Sequence, residues 1–331
     1  MDFSVESWAP EYGSSINLPS ADDADDQAVA TVERPLDAWA PIEPEPSSTP
    51  DEIAFIDGIQ RIDARIWIHE NGISTPAVCV SMAAGATVCT PGAATTHGVE
   101  VVRSLIAPAS SNAAPIVTRH ATYEFVPAQD TTPEATYLAI HGRRTELEIG
   151  VARSVTSDLI VFDGPLRGQT DRQSVGYVKT HHKIYLPNEV QAILGSLDDG
   201  QRTPLFFLSG GPSGRWSWYL RLPGPRVHPM SGIVRLELAG TGTVSEAVAR
   251  AEIVSACLPR FASESHKEAR APQNLYPISG IERELRRRLG DAPLLERALR
   301  VAARRNIKEW LLAPEARTET PTPPREQLPR R

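Results

Sequence analysis

The chain lacks the patterns that announce several common chemistries. It has no Gly-x-x-x-x-Gly-Lys loop and no Gly-x-Gly-x-x-Gly after an apolar run, which argues against P-loop hydrolysis and dinucleotide-dependent redox work. No Gly-x-Ser-x-Gly elbow is present for a serine nucleophile. Cysteine is scarce: Cys79, Cys89 and Cys257 stand in apolar surroundings without zinc-ligand spacing, so they read as buried, reduced thiols. No apolar run is long enough to span a bilayer, and the N-terminus has no basic-then-apolar signal pattern. A cytoplasmic protein without a membrane partner is the expectation.

Positive charge is almost missing from one end. Residues 1–52 hold 13 Asp and Glu against one Arg, a charge of −12, so the rest carries +5 in a chain whose total is −7. Net charge therefore hides the sign of the body, and a nucleic-acid partner stays open. Residues 1–50 are expected to be a mostly disordered acidic leader, 51–312 the folded domain, and 313–331 a disordered tail. Within the leader, Trp8, Trp39 and Ala40-Pro-Ile-Glu-Pro-Glu-Pro46 are a candidate arm that docks on the body or on a neighbour.

What is present begins with Leu159-Ile-Val-Phe-Asp-Gly-Pro-Leu-Arg167, an unbroken apolar run into Asp163 and a Gly-Pro turn. Such a run reads as a buried central strand that delivers Asp163 to its C-terminal edge. The phrase recurs in Ile53-Ala-Phe-Ile-Asp-Gly-Ile59, which places Asp57 before Gly58. A single Asp-Gly is ordinary turn chemistry. Two of them after matched apolar runs can set two carboxylates side by side, a donor set suited to divalent cations.

Further elements follow from periodicity. Ile62, Ala64, Ile66 and Ile68 alternate with polar residues as a second strand, antiparallel to the first, with Asp63 on its solvent side. Pro76–Val88 reads as a third strand, Val99–Ile106 as a short helix and Thr122–Val126 as a strand. A helical stretch runs from Pro133 to Val155, with Gly142 as a candidate break and Thr145 as a candidate cap. On a wheel of about 100° per residue, Leu147, Val151, Ala152 and Val155 span an apolar arc that includes Glu148 and excludes Glu146. A carboxylate on the core side needs a partner, whether a basic residue, water or a metal.

After the Asp163 strand, Lys179 closes Gly176-Tyr-Val-Lys179 as at a strand end. His181 and His182 are adjacent, so on a strand they point oppositely and make a poor metal pair. Residues 188–197 read as a short helix. Pro204–Ser209 and Trp216–Leu222 form a hairpin around Gly210–Gly214, Gly232–Leu238 is a strand, and Val244–Cys257 is an amphipathic helix. Two helices, Ile281–Leu289 and Leu294–Leu311, carry a dense basic face that includes Arg286, Arg287 and Arg288. That face fits phosphate contact, or pairing with acidic neighbours such as the leader.

In order and spacing the set resembles the NurA-type nucleases. The pieces are Phe55-Ile-Asp-Gly58, the helix with Glu148, Ile160-Val-Phe-Asp-Gly-Pro-Leu166, Gly176-Tyr-Val-Lys179, Val234-Arg-Leu-Glu237, and Leu275-Tyr-Pro277 with its following helix. The resemblance covers about residues 50–310. It implies an α/β fold: an RNase H-like mixed sheet with flanking helices, an inserted β-hairpin region and a C-terminal helical segment. It implies a divalent-metal-dependent deoxyribonuclease, a single-stranded endonuclease and 5′-to-3′ exonuclease in DNA end processing and repair. Asp57, Glu148 and Asp163 would hold Mn²⁺ or Mg²⁺, with Lys179 as a catalytic cation. The partners implied are DNA, a HerA-type hexameric ATPase and a second copy as homodimer. Glu146 is the alternative to Glu148; His181 and Tyr276 are further candidates; and Glu284 stands where the family carries a histidine. The competing readings are a non-catalytic DNA-binding or adaptor subunit on the same fold, and an actin-like phosphotransferase, which lacks its repeated phosphate loop here.

Overall fold

The computed structural model describes residues 2–5 and 27–312, except 71, 112, 167–170, 172, 182, 211–212, 227–229 and 269; of residues 2–5 and 305–312 it describes the backbone. Trp8, His182 and the tail from 313 lie outside the described residues. The strands are β1 (Asp2–Val5), β2 (Ala28–Val29), β3 (Ile53–Glu70), β4 (Ile73–Thr90), β5 (Ala93–Pro108), β6 (Ile116–Val117), β7 (Thr122–Ala128), β8 (Leu159–Asp163), β9 (Ser174–Val178), β10 (Phe206–Leu208), β11 (Arg215–Arg221) and β12 (Ile233–Ala239). The helices are α1 (Pro133–Ser154), α2 (Ile193–Ser196), α3 (Val244–Cys257), α4 (Tyr276–Arg288) and α5 (Ala292–Leu312).

One mixed sheet runs β2-β10-β11-β12-β9-β8-β3-β4-β5-β7-β6. At its centre, β3, β4 and β5 form an antiparallel meander; α1 follows, then β8 parallel to β3 and β9 parallel to β8. The central order β5-β4-β3-β8-β9 is the RNase H-like arrangement. β3 is long enough to have two neighbours on one edge: β8 along residues 53–56 and β1 along residues 66–69.

The sheet separates two cores. Phe55, Val161, Tyr177, Trp218 and Leu236 pack with Val254 of α3 and Ile278 of α4. On the opposite face, Ile56, Phe162, Val80 and Met82 pack with Leu147 and Val151 of α1. Ile53–Ile56 and Leu159–Phe162 are buried at every position because both faces are covered, which is why they read as continuous apolar runs.

Several expectations change. Strands one and two are a single strand: β3 passes straight through Asp57-Gly58 with no turn. Asp63 is buried, because a bulge between Ile62 and Ala64 breaks the alternation and turns both Asp63 and Ala64 inward. There it accepts hydrogen bonds from Tyr123 Oη at 2.9 Å, Arg61 Nε at 2.9 Å and Ser81 Oγ. Val99–Ile106 is not a helix but part of β5, where Val101 and Val102 pair with Ala83 and Met82; the ladder offered by β4 overrides an ambiguous short apolar pattern. Helix α1 is unbroken at Gly142, and its cap is Thr132, whose Oγ1 accepts from Ala135 N at 3.2 Å, rather than Thr145. Of residues 188–197, Ile193–Ser196 alone is α-helical.

Residues 27–50 of the leader lie against the body. Ile42 bridges Arg202, Trp39 Nε1 donates to Ala30 O at 2.9 Å, and Glu33 takes a two-pronged ion pair from Arg202. Arg202 is 1% exposed and also meets Glu252, so the acidic arm neutralises a cation that the body buries. Among the described residues, no helix is long and apolar enough to cross a membrane.

Candidate metal centre

The parallel register of β3 and β8 pairs Ile56 with Phe162, so the next residues, Asp57 and Asp163, lie side by side. By strand alternation both point with Phe55 and Val161 toward the α4 face. After Asp163 the chain turns at Gly164, whose φ of +118° is a conformation that disfavours any side chain; its N donates to Tyr177 O at 2.8 Å.

Helix α4 supplies a third carboxylate. Ile278, Ile281 and Leu285 face the core, and Glu282 flanks that stripe. One oxygen each from Asp57, Asp163 and Glu282 lies within 4.8 Å of the others. Asp57 is 6% exposed; its Oδ1 accepts from Gly58 N at 2.7 Å, and its Oδ2 is buried without a hydrogen-bond partner. Asp163 Oδ1 is likewise buried and unpartnered, while Oδ2 accepts from Lys179 Nζ at 2.8 Å. Glu282 pairs with Arg270 at 2.5 Å and Arg286 at 3.6 Å, and stands 4.0 Å from Lys179 Nζ.

Burial, then the neighbouring Asp163 and Glu282 carboxylates, push the Asp57 carboxyl well above its ordinary value. Burial also raises Asp163, against the opposing pull of Lys179. Two neighbouring buried carboxylates that each leave an oxygen without a donor are costly unless a cation takes them up. An all-oxygen donor set of this kind fits a hard divalent ion such as Mg²⁺ or Mn²⁺.

Lys179 is fixed from behind. Fully buried Asn274 accepts from Lys179 Nζ at 2.9 Å and donates to Glu268 at 3.2 Å. Glu268 also accepts from Ser279 Oγ at 2.6 Å, the main reason that its carboxyl is held down to about 2. Glu237, fully buried beside Arg235 and Arg215, accepts from Leu166 N at 2.9 Å and so pins the turn that follows Asp163.

The structure thus brings together Asp57, Asp163 and Lys179. Glu148 faces inward and Glu146 outward, the latter paired with Arg143 at 2.7 Å. Yet Glu148 approaches from the α1 side of the sheet, over Gly58, and its carboxylate pairs with Arg144 at 3.2 Å. A Cβ on Gly58 would come within 2.9 Å of Glu148 Cγ and 3.0 Å of Arg144 Cγ, so glycine is what lets α1 sit this close. Glu284 is turned away, tied to Arg287 at 2.6 Å and Arg288 at 2.7 Å. Tyr276 points outward, bonding Glu264 at 3.0 Å, and His181 bonds Ile233 O at 2.9 Å against Tyr219.

Glu282 is the residue that sequence reading missed, and a signal existed. With Ile281 at zero on a wheel of about 100° per residue, Leu285 and Ile278 fall within about 60°, Glu282 near 100° and Glu284 near 300°. Glu282 thus borders the apolar arc of α4, rather than lying inside it as Glu148 does on α1, and Glu284 lies away from it.

No protein-family model and no curated protein matches the chain. Among solved structures it is similar to the NurA nuclease from Sulfolobus solfataricus, with 9% identity, a TM-score of 0.41, and 76% of this chain and 82% of that chain covered. It is also similar to endonuclease V from Bacillus subtilis, with 14% identity, a TM-score of 0.29, and 73% and 86% covered.

Proposed function

We propose that the chain is a divalent-metal-dependent deoxyribonuclease whose centre is Asp57, Asp163 and Glu282 with Lys179. The observation that carries this reading is the convergence of the Asp57, Asp163 and Glu282 carboxylates, of which Asp57 and Asp163 each keep one buried, unpartnered oxygen, beside an anchored ammonium. Asp57, Asp163 and Glu282 would hold Mn²⁺ or Mg²⁺. When bound, such an ion lowers the pKa of water and offsets charge on a phosphodiester.

The chain's own residues supply the rest. Asn274 and Asp163 hold the Lys179 ammonium at the rim of the centre, where it meets a phosphate oxygen as a point cation. Arg270 and Arg286, now on Glu282, are placed to take flanking phosphates. With Arg287 and Arg288 they contact the backbone and read no sequence. The order of motifs shared with NurA-type nucleases supports single-stranded DNA and its ends as substrate, a HerA-type hexameric translocase as partner and a homodimeric assembly.

A second reading, a DNA-binding adaptor without catalysis, is favoured by one observation: Glu148, the carboxylate the resemblance assigns to the metal, is already neutralised by Arg144. A labelled single-stranded oligonucleotide incubated with Mn²⁺, Mg²⁺ or chelator separates the two. The nuclease reading expects cleavage with metal that Asp163→Asn abolishes while binding persists. Binding without cleavage under every metal condition selects the adaptor.

A further inference from the structure

We infer that Glu268 is a positioning residue of the centre: it fixes which end of the Asn274 amide faces Lys179, and so keeps the ammonium off the Asp163 oxygen that is open to an ion. The inference rests on the metal reading of Asp57, Asp163 and Glu282. Glu268 lies on the loop before α4, outside every motif that points to that reading, and it touches none of the three carboxylates.

Asn274 is fully buried, so both ends of its amide must be met by protein groups. One end only accepts and the other only donates. Lys179 on one side is an ammonium that only donates, and Glu268 on the other is a carboxylate that only accepts. Asn274 Oδ1 accepts from Lys179 Nζ at 2.9 Å, and Nδ2 donates to Glu268 Oε2 at 3.2 Å. The reverse orientation would set the amide N–H groups against the ammonium and the carbonyl against the carboxylate. Glu268 is itself held in place: Oε2 also accepts from Ser279 Oγ at 2.6 Å, and Oε1 accepts from Arg270 N at 3.1 Å and Nε at 3.4 Å. Lys179 therefore divides its donors between the Asn274 carbonyl and Asp163 Oδ2, at 2.8 Å, and Asp163 Oδ1 stays buried without a donor. Without Glu268 nothing selects the amide orientation. An ammonium that loses the Asn274 carbonyl turns to the other Asp163 oxygen, and an incoming ion must then displace it.

The test is the Mn²⁺ affinity of the full chain, measured by the electron paramagnetic resonance of free Mn²⁺, with circular dichroism to show that each variant is folded. Glu268→Ala should bind Mn²⁺ about tenfold more weakly than wild type. Glu268→Gln should stay within about threefold, because Asn274 and Ser279 share one oxygen of Glu268 and the glutamine carbonyl can serve both. In a Lys179→Met background, Glu268→Ala should cost no more than about twofold, since the ammonium through which it acts is gone. Three results each overturn the inference and leave the metal reading standing: wild-type affinity in folded Glu268→Ala, Glu268→Gln as weak as Glu268→Ala, or the full loss persisting without Lys179. The second would mean that the charge of Glu268 matters and the amide orientation does not. No Mn²⁺ binding by wild type overturns both. Should Glu268→Ala fail to fold, Glu268→Met, which fills the same space without a carboxylate, takes its place with the same expectations.

Discussion

Lys179 Nζ sits 2.8 Å from Asp163 Oδ2 and leaves Asp163 Oδ1 buried with no donor. One carboxylate is thus half committed to the Lys179 ammonium and half open, and the neighbouring Asp57 carboxylate also keeps one buried oxygen without a partner.

Such a centre is destabilising until it is filled, so function and stability should move in opposite directions. Asp57→Asn removes a charge whose burial, and whose nearness to Asp163 and Glu282, raise its pKa and make the ionised form costly near neutral pH. In chelator the variant should melt a few degrees higher than wild type, about 1–2 kcal/mol of stabilisation. It should lose cleavage and the melting shift that Mn²⁺ gives wild type. A lower melting point in chelator would mean that the carboxylate is already satisfied.

Gly58 should be intolerant of alanine for a local reason. The added methyl meets Glu148 and Arg144, and overpacking of this kind costs about 1–3 kcal/mol. Shortening Glu148 to Ala should relieve part of that cost, so urea denaturation of the two single variants and the double should show coupling. Additive losses would show that α1 does not rest on Gly58.

The Glu268 hydrogen bonds to Ser279 and Asn274 should appear in acid. Because its folded-state carboxyl is held down to about 2, its contribution is present above the ordinary value of 4.5 and is lost as pH falls from there toward about 2. Glu268→Gln should therefore narrow the stability gap between pH 6 and pH 3 in denaturant titrations. An unchanged gap would show that Glu268 contributes nothing to acid stability.

The three arginines at the end of α4 should differ in DNA binding. Arg287 and Arg288 share Glu284, whereas Arg286 leans toward the centre through Glu282. Arg286→Gln should weaken single-stranded DNA binding and reduce the salt slope by nearly one unit for all sequences alike. Arg287→Gln should do less. Fluorescence anisotropy across a salt series measures both, and equal effects would place the strand along the outer face of α4.

Much of this protein is written in local pattern. Continuous apolar runs ending in Asp57 and Asp163 mark two strands covered on both faces, and the α1 wheel turns Glu148 inward and Glu146 outward, because burial follows periodicity within one element. The central mixed sheet with its flanking and C-terminal helices is as the motif order led one to expect. Tertiary structure decided the rest. The bulge at Asp63 shifts the side-chain alternation of β3 by one residue, which no period-two reading detects without the partner strand. The ladder from β4 made Val99–Ile106 a strand. The sheet itself, a two-sided wall, set Glu148 on one face and Asp57, Asp163 and Glu282 on the other. Which carboxylates can share a cation depends on the face each element packs against, and that is a property of assembled layers, not of any single stretch of chain.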